Sequence, residues 1–317
     1  MIVTLTPNPS IDRTIELSEG LERGGLIRST STHDDAGGKG VNVARVVRKA
    51  GLLAVAVLPG DHDDPLLAKL RELHLTHRAV PTGMPSRINL TLAEPDGVTT
   101  KINAPGHQID PAHLNQMISE VSREAVGARW AVLSGSLPPG VDVGWYAEVI
   151  EAIRDEGLRI ALDTSGAPLK AAVDKSSAHL DLIKPNSEEL SDLVGTPADD
   201  IEADVDVAQA SIQPLLDRGI AKVLLTLGSR GALLVTREGT WFAPAPAIQA
   251  RSTVGAGDSA LAGYLIGDLN GLDEAKRLSL AVAYGSAAAS LPGSRMPEPG
   301  DLPPLPEAQS LTRPNRG

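Results

Sequence analysis

Short runs of apolar, β-branched residues alternate with segments of helical period along most of this chain, and this alternation restricts the folds it can adopt. The runs that predict strands lie at residues 2–5, 54–58, 130–133, 159–162, 180–183 and 222–226. Segments of helical period lie at 41–50, 111–124, 143–156 and 207–218. Such alternation predicts an α/β fold with a mainly parallel central sheet and helices on both of its faces.

Two segments interrupt this rhythm. Residues 12–34 and about 86–104 read as short alternating strands without helices between them, and Pro95-Asp96-Gly97 in the second segment is a turn signal. These strands predict a small sheet beside the main domain, in the position of a lid over a site. A chain of 317 residues has the size of one large domain with such an appendage.

The two ends of the chain predict neither a signal peptide nor a packed C-terminal segment. Pro7 and Pro9 interrupt the first apolar run, and no basic residue precedes it. The longest stretch without charge, residues 278–294, is broken by Pro292, so we expect no membrane span there. After Leu291 the chain becomes rich in proline, which predicts a domain at 1–291 and a polyproline-like or disordered tail at 292–317.

The composition disfavours several classes of partner and chemistry. With 29 basic and 40 acidic residues the formal net charge is -11, which argues against nucleic acids and anionic membranes as partners. There are 1 Phe, 3 Trp and 3 Tyr, so few rings could stack on bases. The absence of cysteine excludes disulfides and thiolate catalysis. A small anionic substrate remains compatible, because a few local cations and amides can hold it.

A glycine-rich segment, Gly37-Gly38-Lys39-Gly40, leads into the helix predicted at 41–50. The free amides and the dipole at a helix N-terminus favour an anion. The segment is not a Walker A loop, because neither Gly-Lys-Ser nor Gly-Lys-Thr occurs in the chain. A tight turn without a ligand explains the same glycines, so this segment alone leaves both interpretations open.

The segment Gly255-Ala256-Gly257-Asp258 has three interpretations. Its spacing matches a dinucleotide fingerprint, but residues 249–253 before it are polar where that signature requires an apolar strand. A nest of amides that holds a phosphoryl group in transfer, with Asp258 as the base that orients a hydroxyl, fits better. The third is an Asp that only complements the helix dipole. We expect that dipole to keep Asp258 ionised near neutral pH.

The segment Lys184-Pro185-Asn186 follows an apolar run and opens a helix on which Asn186 and Glu189 share one face. An amide and a carboxylate in this arrangement suit Mg²⁺ bound through water, since that ion keeps most of its waters. A helix cap is the alternative explanation.

Two further segments follow predicted strands. Gly228 and Gly231 come after the strand at 222–226, where backbone amides could approach the phosphates of a nucleotide, although a plain hairpin turn explains them nearly as well. Ser136 lies in the segment 134–140 after the strand at 130–133, at the carboxyl edge where open α/β sheets bind ligands.

In this order along the chain, the segments resemble the ribokinase-like (pfkB) family of carbohydrate kinases. Residues 37–44 resemble the first signature of that family and residues 252–259 the second. Segments 4–12, 134–140, 163–166, 184–186 and 226–228 also occur in the family's order, and the resemblance covers roughly residues 1–291. It implies a ribokinase-like three-layer α/β domain with a small β-sheet lid.

Within the family, the stretches 87–89, 96–98 and 101–103 are most similar to the 1-phosphofructokinase branch. This resemblance implies transfer of the γ-phosphoryl group of ATP, with Mg²⁺, to the 6-hydroxyl of fructose 1-phosphate, by a cytoplasmic homodimer joined through the lid. A kinase of fructose 6-phosphate or tagatose 6-phosphate is the alternative. A non-catalytic sugar-phosphate sensor is a third hypothesis, which the intact Gly-Ala-Gly-Asp segment disfavours.

The same resemblance assigns roles to individual residues. Asp258 would be the base, and Gly255, Ala256 and Gly257 would form the anion hole. The sugar phosphate would contact Asp12, Arg28, Gly38, Lys39, Asn42, Arg87 and Ser136, with Arg87 and Arg28 on its phosphate. The ATP site would include Lys184, Asn186, Thr226, Gly228, Gly231, Ser290 and Gly293. Asn186 and Glu189 would hold Mg²⁺ through water.

Overall fold

Strands and helices alternate over residues 1–311, which are the residues that the computed structural model describes. The strands are β1 (Ile2–Leu5), β2 (Ser10–Leu17), β3 (Ser29–Gly37), β4 (Ala54–Pro59), β5 (Thr76–Val80), β6 (Arg87–Ala93), β7 (Thr99–Ile102), β8 (Trp130–Ser134), β9 (Arg159–Asp163), β10 (Leu182–Ile183), β11 (Lys222–Thr226), β12 (Gly231–Thr236), β13 (Thr240–Pro244) and β14 (Gln309–Leu311). The helices are α1 (Lys39–Lys49), α2 (Pro65–Glu72), α3 (Pro111–Ala125), α4 (Trp145–Ile153), α5 (Gly166–Ser176), α6 (Ser187–Val194), α7 (Ala198–Ala203), α8 (Val205–Asp217), α9 (Ala256–Leu269) and α10 (Glu274–Ser290).

A ten-stranded sheet runs through the main domain in the order β14-β13-β12-β11-β10-β9-β8-β1-β4-β5. The strands from β11 to β5 are parallel, and β12, β13 and β14 pair antiparallel at one edge. Successive side chains of a strand face opposite sides, so β1 directs Val3 and Leu5 into one core and Ile2 into the other. Helices α3 to α8 cover the first core, and α1, α2, α9 and α10 cover the second.

This architecture confirms the predicted α/β class with helices on both faces of the sheet. All six predicted runs form strands, and all four segments of helical period form helices. Strands β5, β13 and β14 lie toward the two edges of the large sheet and were not among the predicted strands. Within residues 1–311, no helix has the length and apolarity that crossing a bilayer requires.

A separate four-stranded sheet, in the order β3-β2-β6-β7, forms from the two segments that interrupt the rhythm. Glu94 and Gly97 close the predicted turn between β6 and β7, where the Gly97 amide donates to the Glu94 carbonyl at 3.0 Å. The strand register separates two faces. The inner lid face carries Ser10, Asp12, Thr14, Arg87, Asn89 and Lys101. The outer lid face carries Ile15, Ile88, Leu90, Leu92 and Ile102.

The proline-rich segment after Leu291 packs against the main domain as far as the structure describes it. Met296 is fully buried, and β14 extends the large sheet by pairing with β13. The Ser294 hydroxyl donates to Asp35 Oδ2 at 2.8 Å. The expectation of a polyproline-like or disordered tail is therefore wrong for residues 292–311, because single apolar anchors such as Met296 outweigh the proline content. Residues 312–317 lie outside the described part.

Candidate active site

The carboxyl edge of the large sheet brings the motifs together. Helix α1 begins directly above the end of β1, and glycines permit this close approach. A Cβ on Gly40 would lie 2.5 Å from Thr6 Oγ1, and one on Gly38 would lie 2.8 Å from Thr6 Cγ2. Gly38 also has a φ of 112°, which side chains other than glycine rarely adopt. The N-terminus of α1 therefore faces the same edge as the ends of β1, β8 and β9.

Asp258 lies in the first turn of α9, whose N-terminal cap is Gly255 in a left-handed conformation. The carboxylate is 7% exposed, and its Oδ2 accepts a hydrogen bond from Asn42 Nδ2 on α1 at 2.9 Å. Behind the cap, a Cβ on Gly255 would lie 2.5 Å from Met296 Cε. The amides of residues 255–257 and the Asp258 carboxylate thus share one end of α9, with α1 on one side and Met296 on another.

Two lysines converge on the buried carboxylate of Asp163, which ends β9. Lys39 Nζ lies 2.9 Å from Asp163 Oδ1, and Lys184 Nζ lies 3.4 Å from Asp163 Oδ2. Lys184 Nζ is also close to the predicted anion hole, since a Cβ on Gly257 would lie 3.2 Å from it. The Asp163 side chain has no exposed surface. Asp163 lies in the segment 163–166 that resembles the family, but no role was predicted for it, although a carboxylate at the carboxyl end of a buried parallel strand indicates a candidate site residue.

The pKa of Asp258 is raised to about 6. Burial is the main cause, and the Asp163 carboxylate raises it further, while Lys39, the Asn42 hydrogen bond and Lys184 partly offset both. The pKa is raised and not lowered, because the loss of hydration outweighs the helix dipole that was expected to favour the ionised form. At pH 7 the ionised form still exceeds the protonated form by about tenfold, and a pKa near neutrality suits a general base.

The charged groups around Asp258 also shift the pKa values of one another. Burial acts to raise the pKa of Asp163, but Lys184 and Lys39 outweigh it, so this pKa lies below its ordinary value. Burial acts to lower the pKa of Lys39, but Asp163, Asp258 and Glu189 outweigh it and the pKa is raised. Asp163 and Lys39 therefore both carry their charges at neutral pH, next to Asp258.

Asn186 and Glu189 form a capping box at the start of α6. Asn186 Oδ1 accepts from the Glu189 amide at 2.7 Å, and Glu189 Oε2 accepts from the Asn186 amide at 2.9 Å. The other carboxylate oxygen, Oε1, lies 3.7 Å from Lys39 Nζ. Residues 1–311 contain no cluster of three or more acidic or histidine side chains that could hold a metal ion. The helix cap that was the alternative explanation for these two residues is present, and their contact with Mg²⁺ through water stays a prediction.

Asp12 lies on the inner lid face against the glycines that join β3 to α1. Its Oδ1 accepts from Ser10 Oγ at 2.7 Å and from Asn89 Nδ2 at 3.0 Å. A Cβ on Gly37 would lie 2.2 Å from Asp12 Oδ2. Asn89 had no predicted role of its own, and its pairing with Asp12 across β2 and β6 places its amide where it donates to the Asp12 carboxylate.

Arg87 joins the start of β6 to the end of the lid segment at Ala104 and to the loop at Asn8. One terminal nitrogen donates to the Ala104 carbonyl at 2.6 Å and the other to the Asn8 carbonyl at 3.0 Å. Its buried Nε has no hydrogen-bond acceptor within residues 1–311. Burial lowers the pKa of Arg87, and Asp12 partly offsets this shift. A phosphate contact for Arg87 stays a prediction.

The remaining predicted contacts with the sugar phosphate lie at the surface. Arg28 is exposed just before β3. Ser136 is also exposed, and its hydroxyl accepts from Asn8 Nδ2 at 3.3 Å. Asn8 contacts segment 134–140 through its side chain and Arg87 through its backbone carbonyl. The roles of Arg28 and Ser136 in binding the sugar phosphate stay predictions.

On the predicted nucleotide side, only part of the set lies close together. The Thr226 amide donates to the Pro185 carbonyl at 3.0 Å, which places Thr226 beside the Asn186 cap. Gly228 is exposed in the turn between β11 and β12. A Cβ on Gly231 would lie 2.0 Å from the Ala243 carbonyl oxygen, so strand packing alone requires this glycine.

Ser290 and Gly293 flank the end of α10. The Ser290 hydroxyl donates to the Ala287 carbonyl at 2.8 Å within that helix. A Cβ on Gly293 would lie 3.3 Å from Thr14 Oγ1 on the inner lid face, so Gly293 lies beside the lid. The assignment of both residues to the adenine side stays a prediction.

Comparison with known proteins places this arrangement in a family. The family model of the pfkB family carbohydrate kinases matches residues 6–300. A 1-phosphofructokinase of Xanthomonas campestris pv. campestris is 36% identical over 286 residues, which cover 88% of this chain and 88% of that protein. The structure of Escherichia coli phosphofructokinase-2 in complex with substrates and products has a TM-score of 0.87 and 30% identity, covering 95% of this chain and 96% of that chain.

An Arabidopsis thaliana ribokinase, solved with ribose and ATP, has a TM-score of 0.70 and 21% identity over 95% of each chain, which is a likeness of fold alone. It confirms the predicted ribokinase-like architecture. The family model matches residues 6–300, which confirms the predicted resemblance of the sequence segments to the pfkB family. This match covers most of the chain and a relative is 36% identical over 88% of the chain, so this chain belongs to the pfkB family of carbohydrate kinases.

Proposed function

We propose that this chain transfers the γ-phosphoryl group of ATP to the 6-hydroxyl of fructose 1-phosphate, giving fructose 1,6-bisphosphate and ADP. The observation that carries the proposal is the placement of Asp258. It is a buried carboxylate in the first turn of α9 whose pKa is raised to about 6, although the positive charges of Lys39 and Lys184 act to lower that pKa. A base with this pKa can accept a proton near neutral pH, as attack by a hydroxyl on phosphorus requires.

In the proposed reaction, the sugar oxygen forms a bond to the γ-phosphorus as its proton passes to Asp258. The bond between the γ-phosphorus and the bridging oxygen of ADP breaks in the same displacement. The amides of residues 255–257 and the dipole of α9 would stabilise the equatorial oxygens in transfer. Lys184, beside Gly257, would add positive charge where negative charge accumulates.

Mg²⁺, when bound with ATP, would neutralise phosphate charge. Glu189 and Asn186 would orient its waters, and the capping box would fix their positions relative to Lys39. Lys39 is held by Asp163 and Glu189, so a phosphoryl oxygen entering this region would meet an ammonium group that is already in place. Such preorganisation lowers the cost of reaching the transition state.

On the lid, the inner face would bind the sugar phosphate and exclude water. Asp12, oriented by Ser10 and Asn89, would accept from sugar hydroxyls. Arg87 lies two residues before Asn89 on the same face, and its buried Nε has a hydrogen-bond donor that no acceptor within residues 1–311 satisfies. An anionic phosphate would supply that acceptor, and Arg28 would assist from the edge of the lid.

The choice of fructose 1-phosphate as the substrate rests on the relatives and on the similarity of the lid segments 87–89, 96–98 and 101–103 to the 1-phosphofructokinase branch. The Xanthomonas relative is a 1-phosphofructokinase. The rival substrate is fructose 6-phosphate, with which the Escherichia coli phosphofructokinase-2 has been crystallised. ADP release measured with fructose 1-phosphate, fructose 6-phosphate and tagatose 6-phosphate separates the candidates, with Asp258→Asn as the inactive control. We expect the highest kcat/KM for fructose 1-phosphate. Turnover of none of the three would refute the kinase proposal.

We further propose that the outer lid face joins two copies of the chain in the cytoplasm. Ile88 is 40% and Ile102 is 53% exposed there, on strands that present apolar side chains together. Burying such a face is the usual reason for exposed lid sheets to pair. Light scattering should give twice the chain mass, and Ile88→Glu with Ile102→Glu should give the monomer. Val126→Glu, at a 68% exposed position outside the lid, is the control that should stay dimeric.

A further inference from the structure

Arg45 is a buried arginine one helical turn after Asn42 on α1, and no role was assigned to it from the sequence. Its side chain is 6% exposed, although arginine is seldom buried without a specific partner. Burial lowers its pKa, and the carboxylates of Asp35 and Asp12 oppose that shift. The cost of burying this charge requires contacts that make use of it.

The guanidinium reaches the Asn42 amide from the side opposite the base. Arg45 NH1 donates to Asn42 Oδ1 at 3.4 Å, and Asn42 Nδ2 donates to Asp258 Oδ2 at 2.9 Å. A flipped amide would direct Oδ1 at the Asp258 carboxylate and Nδ2 at the guanidinium, so two acceptors and two donors would face each other. Arg45 therefore fixes which end of the amide meets the base.

The same guanidinium binds the end of the lid. Arg45 NH1 donates to the Ala36 carbonyl at 2.6 Å, and Arg45 NH2 lies 3.3 Å from Asp35 Oδ1. Asp35 and Ala36 are the two residues of β3 before its last residue, Gly37, where the lid joins α1. Asp35 Oδ2 in turn accepts from Ser294 Oγ at 2.8 Å. A continuous set of contacts thus runs from the lid and the C-terminal segment through Arg45 and Asn42 to Asp258.

We propose that Arg45 is a positioning residue that holds the Asn42 amide in its base-facing orientation and ties this orientation to the lid end of β3. The inference rests on the proposed role of Asp258 as base. It adds that a displacement of β3 at Asp35 and Ala36 would change the hydrogen bond between Asn42 and Asp258, because the Arg45 side chain contacts both β3 and Asn42.

The proposal predicts an effect on the titration of the base. The Asn42 hydrogen bond is one of the contacts that hold the pKa of Asp258 down, together with Lys39 and Lys184, against burial and the Asp163 carboxylate. If the amide loses its fixed orientation, the average hydrogen bond weakens while those other groups stay in place. The ascending limb of the pH profile of kcat/KM should then move to higher pH.

The main test replaces Arg45 by lysine, which keeps the charge but has a single terminal nitrogen, so it cannot occupy the positions of both NH1, which donates to Asn42 and Ala36, and NH2, which faces Asp35. We expect the ascending limb to move up by about 0.5–1 pH unit, which lowers kcat/KM about 3- to 10-fold on that limb and less above it. The KM for ATP should stay unchanged. Arg48→Lys, an exposed position on the same helix, is the matched control and should leave the profile unchanged.

Two further variants separate positioning from a general loss of packing. In an Asn42→Ala background the Arg45→Lys change should produce no further shift of the limb, because the amide through which it acts is gone. An equal shift in both backgrounds, or an unshifted limb in Arg45→Lys, overturns the proposal. If Arg45→Lys does not fold, Asp35→Asn tests the same connection from the lid, with a smaller upward shift expected and an unchanged limb as the refuting result. Absent turnover in the parent enzyme would instead refute the kinase proposal.

Discussion

Replacing Asp258 by asparagine should abolish turnover and, at the same time, stabilise the protein above neutral pH. Burial raises the pKa of this carboxyl from its ordinary 3.8 to about 6, so the ionised form is less favourable in the folded than in the unfolded chain. The difference between a pKa of 3.8 and one of about 6 corresponds to about 3 kcal/mol, at about 1.4 kcal/mol for each pH unit. Asparagine has the shape of the neutral acid and removes this cost.

The sign follows from linkage. A carboxyl with a raised pKa contributes stability that is fully present below the unfolded value of 3.8 and is lost as pH rises through about 6. The advantage of Asp258→Asn over the parent should therefore be complete at pH 8, fall to about half at pH 5 and vanish below about pH 4. For 317 residues, about 3 kcal/mol corresponds to a Tm increase of about 4–5 °C.

Thermal unfolding of both proteins at pH 5 and pH 8, each without ligands, measures this difference directly. A suitable control is Asp268→Asn on the same helix. The Asp268 carboxylate accepts from Trp130 Nε1 and Arg159 NH1, each at 2.8 Å, and its pKa is lowered although burial opposes that shift. Its loss should destabilise the protein by roughly 3–5 kcal/mol at pH 8. An Asp258→Asn variant that is no more stable than the parent at pH 8, or equally favoured at both pH values, would refute the reasoning.

Three further substitutions test other parts of the site. Asp163→Asn removes a negative charge near the base, so the ascending limb of the pH profile should move to lower pH while kcat falls; an unmoved limb would contradict the electrostatic role. Gly38→Ala forces a Cβ to within 2.8 Å of Thr6 Cγ2, and we expect the KM for the sugar phosphate to rise at least about tenfold, with unchanged circular dichroism as evidence of folding. Arg87→Met should raise that KM without changing the KM for ATP in steady-state assays. Equal changes in both constants would point to a loss of folding instead.

The sequence predicted the parallel part of the fold well, because buried parallel strands and their covering helices each leave a periodic signal. The runs at 130–133 and 159–162 became β8 and β9 with one residue added to each. The edge strand β14 left no such signal, since three residues in a proline-rich segment carry no period. Its pairing with β13 depends on contacts between distant parts of the chain.

The residues of the candidate site also fall into those that a local sequence motif identifies and those that only the folded structure brings together. Asp258 and Lys39 belong to local motifs whose glycines mark a helix entry, so sequence reasoning could select them. Asp163 contacts Lys39, which lies more than a hundred residues earlier in the chain, and Arg45 contacts Asp35 on the neighbouring strand β3, so these contacts become visible only in the folded structure. The raised pKa of Asp258 also depends on burial, which no local pattern specifies.

The hydrogen bond between Asn42 and Asp258 joins residues 216 positions apart, and Lys49 donates to the Met296 carbonyl across 247 positions. Contacts of such long separation form late, because a long loop must close before they contribute. A ribosome-bound chain that has exposed only its first half therefore has the lid strands and Lys39 but no base. Recovery of enzymatic activity during refolding should accordingly lag behind recovery of helical circular dichroism, so that activity reports the completed molecule and not its early collapse.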